Sequence, residues 1–89
     1  MDKHTPRTII FNEDTAKHGY VINAVFNELL RAQKIHPPMR SYHEGYAIML
    51  EEDEELWDEI KKKHPDSNKI TEEALHKAAT SMRFLYDLC

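Results

Sequence analysis

The chain has 89 residues, a formal net charge of −4 and a single cysteine, Cys89. That length accommodates one domain with a modest core, and the acidic balance argues against a binder of duplex DNA, which usually carries a basic face. A lone cysteine rules out an internal disulfide framework, and no apolar run approaches the ~18 residues of a membrane span, so a reducing cytosol is the expected compartment.

Residues 1–12 read as an N-terminal arm. Its first seven residues are polar and lack the apolar stretch of a signal peptide. Thr8-Ile9-Ile10-Phe11 then forms either a short extended piece or a hydrophobic arm packed on the rest of the chain or on a partner. Residues 13–89 read as one helical domain. Only two glycines occur, Gly19 and Gly45, which leaves little room for tight hairpins. Prolines at 37, 38 and 65 divide this part into three stretches of about twenty residues, each with helical periodicity.

The first helix is expected over residues 15–34. Val21, Val25, Leu29 and Ala32 form one stripe, and Ile22, Phe26 and Leu30 widen it. It stops at His36-Pro37-Pro38, where proline cannot continue a helix. The second is expected over residues 42–63. Ser41 and Glu44 fit a capping box, and Lys61-Lys62-Lys63 suits the negative end of the helix dipole. His64-Pro65-Asp66-Ser67-Asn68 reads as a turn. The third is expected over residues 71–88, with Thr71 as N-cap and Leu75, Ala78, Met82 and Leu85 as its stripe.

On a helical wheel, Tyr46, Met49, Leu50, Leu56, Trp57 and Ile60 share one side of the second helix, the expected core face. Glu52, Glu55 and Glu59 share another side, beside Ile48. Seven of the nine residues from 51 to 59 are acidic. The plain reading is a solvated acidic stripe; the other is a hard-cation site, since Mg²⁺ takes oxygen ligands from a few carboxylates. Asp53 falls among the apolar residues. It must pair with a cation, lie near a helix crossing or face water, because a buried unpaired carboxylate is costly.

The run His43-Glu44-Gly45-Tyr46-Ala47, leading into Glu51-Glu52-Asp53-Glu54-Glu55-Leu56, resembles the signature helix of the MazG-like nucleotide pyrophosphohydrolases. The likeness is strongest to short members found in phages. Arg31-Ala32, Pro37-Pro38, Glu72-Glu73-Ala74, Ala78-Ala79 and Met82-Arg83-Phe84-Leu85 extend it over about residues 20–88. The resemblance implies an all-α protein with three main amphipathic helices in an antiparallel bundle, completed by homo-oligomerisation as a homodimer or homotetramer. It also implies Mg²⁺-dependent cleavage of a nucleoside triphosphate to monophosphate and pyrophosphate. Mn²⁺ or another divalent ion is the alternative cofactor. For a phage-encoded chain the compartment would be the host cytosol.

Carried over position by position, the implied metal ligands are Glu52 and Glu55 on one helix and Glu73 and His76 on the next. Position 76 departs from the pattern, being His where the family has Asp. Glu51 or Glu55 is the candidate to orient or deprotonate the attacking water. Arg83 is the first choice to hold phosphate, followed by Lys77, Lys34 and Arg40; each is otherwise an ordinary solvated cation. Trp57 is a candidate to stack on a base, with core packing the plainer reading. His4, His18, His36 and His64 read as surface residues, and Cys89 receives no catalytic role.

Three functions follow. The first is a metal-dependent pyrophosphohydrolase. The second, motivated by His76, is a catalytically impaired phage protein that sequesters a nucleotide, including a cyclic signalling nucleotide. The third is a helical interaction protein without a ligand.

Overall fold

The computed structural model describes residues 11–89; residues 1–10, including most of the apolar piece of the arm, lie outside the described part. A 3-10 turn at Glu13–Thr15 leads into α1 (Ala16–Ile35), α2 (Tyr42–Ile60) and α3 (Ser67–Leu88), and no strand occurs among the described residues. The chain is therefore all-α. No helix of the described part is long and apolar enough to cross a membrane.

Local chemistry accounts for each boundary. Asn12 opens the 3-10 turn: its Oδ1 accepts from the backbone N–H groups of Asp14 and Thr15, and its own N–H donates to Thr15 Oγ1 at 2.8 Å. Helix α1 ends at His36, whose extended backbone (φ −119°, ψ 141°) is the conformation that a following proline imposes. Ser41 Oγ caps α2 by accepting from the Glu44 N–H at 3.1 Å. The Glu44 carboxylate accepts instead from the Arg40 N–H at 3.0 Å, so only half of the expected capping box forms.

Helix α2 stops at Ile60, three residues short of the expected end. Lys61 and Lys62 lie beyond it and pair with Asp58 at 3.1 Å and Glu59 at 2.8 Å. Helix α3 starts at Ser67, a full turn before Thr71. Asp66, inside the expected turn, is its cap and accepts from the Asn68 N–H at 2.9 Å.

Helix α3 is the central element. Both α1 and α2 pack on it, while among the described residues the backbones of α1 and α2 do not approach each other. Cross-contacts fix the directions. Along α2, Gly45 meets Phe84 and Asp53 meets Lys77, so α2 and α3 are antiparallel. Glu28 of α1 meets His76, and Pro37, just beyond the end of α1, meets Arg83, so α1 runs parallel to α3. The arrangement is up, down, up, with a cleft between α1 and α2 floored by α3.

Gly45 makes the α2–α3 approach possible. A Cβ at that position would lie 2.6 Å from Phe84 Cδ2 and 3.1 Å from Leu88 Cδ1. Phe84 in turn stacks on Tyr42, ring centroids 6.0 Å apart.

The buried apolar residues are few: Leu29, Ala32, Met39 and Ala79. Helix α2 also turns a different side inward from the one its apolar stripe suggests. Ile48, Met49, Glu52, Leu56 and Glu59 are part-buried. Tyr46 is 64% exposed, Leu50 44%, Trp57 57% and Ile60 42%. Of the expected core face, only Met49 and Leu56 lean into the chain. Trp57, read most simply as a core residue, sits on the outer surface. Asp53 shares that outer side and pairs with Lys77 at 2.9 Å, which resolves its placement among apolar neighbours. A second apolar surface runs along α1, where Tyr20, Val21, Ile22, Phe26 and Leu30 are exposed.

Candidate metal and nucleotide site

The inward side of α2 turns Glu52 toward α3, which presents Glu73 and His76 on successive turns. One donor atom from each of these three residues lies within 4.8 Å of the others. All three side chains are part-buried. Glu52 Oε2 and Glu73 Oε2 are buried without a hydrogen-bond partner. Buried carboxylate oxygens normally find a donor, so two neighbouring carboxylates that each bury an oxygen without a hydrogen bond make an energetically exposed arrangement.

His76 stands between two helices. Its Nδ1 lies 3.5 Å from Glu73 Oε2 and its Nε2 lies 3.7 Å from Glu28 Oε2 on α1. Glu28 is itself anchored by two hydrogen bonds from Arg31, at 2.8 and 2.6 Å. Those bonds hold the Glu28 carboxyl below the usual carboxylate range, against the opposing effect of burial. Glu52 moves the other way. Burial raises its carboxyl above the usual range, and the negative charges of Glu55 and Glu73 push in the same direction while His76 opposes them.

The expected ligands thus divide. Glu52, Glu73 and His76 converge, whereas Glu55 is exposed and outside the cluster. Glu51 is exposed and lines an open cleft of about 670 Å³, together with His36, Pro37, Pro38, Arg40, Glu44, Ile48, Glu52 and Arg83. Arg83 is only 6% exposed and lies on the cleft floor. Arg40 lines the cleft while pairing with Glu44 at 3.2 Å. Lys77 is engaged with Asp53 on the outer side, Lys34 is exposed on α1 away from the cleft lining, and Trp57 faces outward.

Glu28 is the site residue that sequence reasoning passes over. It sits among Val25, Leu29 and Ala32, on the side of α1 that packs inward, with Arg31 one turn on. That spacing is the available signal. His36, read as a surface residue, lines the cleft although it is exposed.

The donor set suits a divalent cation. Two carboxylates with unsatisfied oxygens supply hard oxygen ligands, and an imidazole widens the range toward Mn²⁺ and Zn²⁺. No family model, curated protein or solved structure matches the chain.

Proposed function

We propose that this chain is a nucleotide-binding protein that holds a divalent cation with Glu52, Glu73 and His76 and hydrolyses a nucleoside triphosphate to monophosphate and pyrophosphate. The observation that carries the reading is the convergence of Glu52, Glu73 and His76, donor atoms within 4.8 Å of one another, with both carboxylates burying an oxygen that has no hydrogen bond. The resemblance of residues 43–60 to the MazG-like signature helix supplies the substrate class. A bound cation would neutralise phosphate charge. The chain's own contribution is positional: Glu28 orients His76 from α1, and Glu51, on the cleft wall, is better placed than Glu55 to accept a proton from water.

The test is incubation of the protein with a panel of nucleotides, cyclic ones included, in Mg²⁺ or Mn²⁺, with chromatography of the supernatant and of the heat-denatured protein. Monophosphate and pyrophosphate in the supernatant establish the hydrolase. Unchanged nucleotide throughout, with no binding, removes both this reading and the next.

One observation favours a second reading. His76 puts a nitrogen where the resemblance implies a carboxylate, and it is held between two glutamates. Such a site would bind a nucleotide without turning it over, and intact nucleotide would then appear only after denaturation.

We also propose that the chain works as a homo-oligomer. Tyr46, Leu50, Trp57 and Ile60, with Asp53, repeat along α2 at alternating steps of four and three, the spacing of a helix-pairing seam. With four buried apolar residues among those described, a second copy over this seam would supply core that one chain lacks. A monomer by light scattering would remove this proposal.

A further inference from the structure

Arg83 is the most buried charged residue among those described, at 6% exposure, and no described carboxylate lies within 4 Å of it. Among the described residues its one side-chain hydrogen bond is Nη2 donating to the Pro37 carbonyl, a long contact of 3.4 Å. A guanidinium has five N–H donors and stays charged. Asp87, one turn further along α3, is the natural partner, but its Oδ2 accepts from the Met39 N–H at 2.8 Å instead. Buried charges in proteins are otherwise paired or ligated, so Arg83 is prepared for an anion that the described residues do not provide.

The surroundings narrow that anion. Arg83 and Glu52 line the same two adjoining hollows, the open cleft and a smaller recess reaching to Glu28 and His76. The cleft therefore has an acidic wall, Glu51 and Glu52, and a basic floor. A lone carboxylate or phosphate on Arg83 would face that wall. A chain of phosphates would not suffer in the same way, because one phosphate can lie at the cation while the next takes the planar donor fork of Arg83.

We infer that Arg83 is the receptor for the second phosphate of a linear di- or triphosphate, and that it selects pyrophosphoryl ligands over monophosphates. This rests on the proposed cation site and adds the ligand's minimum length. The carbonyl of Pro37 and the burial of the stem hold the fork in place before the ligand arrives, so little ordering remains on binding.

The experiment is calorimetric titration of the full chain, in Mg²⁺, with inorganic phosphate, inorganic pyrophosphate, AMP and ADP. Mn²⁺ binding is followed separately by electron paramagnetic resonance. Pyrophosphate is expected to bind roughly tenfold to hundredfold more tightly than phosphate, and ADP more tightly than AMP by a similar factor. Tighter binding of ADP than of pyrophosphate would make the source a nucleotide, and the reverse order free pyrophosphate; either supports the inference. Arg83→Met should erase the preference while leaving Mn²⁺ binding in place, and Arg83→Lys should keep part of it. Since methionine replaces an unpaired buried charge, the ligand-free Arg83→Met protein should melt no lower than the wild type.

No preference in the wild type, or one that survives Arg83→Met, overturns the inference. A lower melting temperature together with lost Mn²⁺ binding overturns it too, because Arg83 would then be structural. Absence of Mn²⁺ binding in the wild type would instead strike the cation site itself. A shift of the Arg83 Nε–Hε resonance when pyrophosphate is added to the wild type tests the contact without any variant, and an unmoved resonance contradicts it.

Discussion

The two sides of α2 differ in a way that runs against simple expectation. The side turned toward α3 carries Glu52 and Glu59 with Ile48, whereas the side turned to solvent carries Tyr46, Leu50, Trp57 and Ile60. A helix inside one chain normally buries its apolar stripe and exposes its acids. Here the contact with α3 takes Glu52 and Glu59 inward beside Ile48, Met49 and Leu56, and the rest of the apolar stripe stays exposed. A helix can have two packing partners, and the more apolar side need not belong to its own chain.

The largest expected effect falls on the outer side. Leu50→Glu combined with Trp57→Glu should convert an oligomer to monomer, read by light scattering. Trp57 is the only tryptophan, so a single variant, Leu50→Glu, should red-shift its fluorescence as the seam opens. If the wild type already shows a fully solvated tryptophan spectrum, the outer stripe has no partner and the contrast between the two sides loses its explanation.

Next comes the inner side. Glu52→Gln should weaken Mn²⁺ binding by at least the roughly 10- to 100-fold that loss of a mere supporting partner costs at a metal site. The same substitution should raise the melting temperature of the metal-free protein at neutral pH by a few degrees, on the scale of about 4–8 °C per kcal/mol for a domain of this size. The sign follows from the raised Glu52 carboxyl. Such a group binds its proton more tightly when folded, so its contribution favours the fold at low pH and is lost as pH rises through the shifted value. Mn²⁺ affinity should run the opposite way, falling as pH drops through that value. A stability rise without loss of Mn²⁺ binding would separate Glu52 from the cation.

A smaller effect tests the joint that sets α2 against α3. Gly45→Ala gains up to about 1 kcal/mol of helix propensity but places a methyl group against the Phe84 ring, where overpacking costs about 1–3 kcal/mol. Thermal unfolding should show net destabilisation, and Phe84→Leu in the same chain should restore part of it. An unchanged melting temperature would mean that the helices separate easily and the cleft is not rigid. The smallest effect belongs to Asp53→Ala. Its pair with Lys77 is about half exposed, so denaturant unfolding should change by less than about 1 kcal/mol.

The three helices were legible in the sequence because proline, caps and 3.6-residue periodicity act locally. The boundaries of α3 were less so: Thr71 reads as the cap and Asp66 as part of a turn, whereas Asp66 caps the helix one turn earlier. Glu52, Glu73 and His76 are named through the family resemblance, and the structure places them close together. Glu55 could be named equally well, but it stays exposed beside Glu52 and does not join Glu73 and His76. Which side of α2 faces inward was not legible, since periodicity locates a stripe without saying what covers it. Glu28 was hidden for a related reason: its role depends on α1 and α3 running parallel, a property of no single helix.

Because α3 alone joins the other two helices, the order of synthesis matters for this chain. Helix α1 emerges first and has no other α-helix to pack on until α3 begins at Ser67, after the intervening residues 36–66. The α2–α3 pair, by contrast, closes across a connection of six residues, from Lys61 to Asp66. Local closure is entropically the easier step. A nascent chain should therefore form the α2–α3 hairpin before α1 docks. During that interval the apolar residues of α1 stay open to whatever else is nearby, including a second nascent copy.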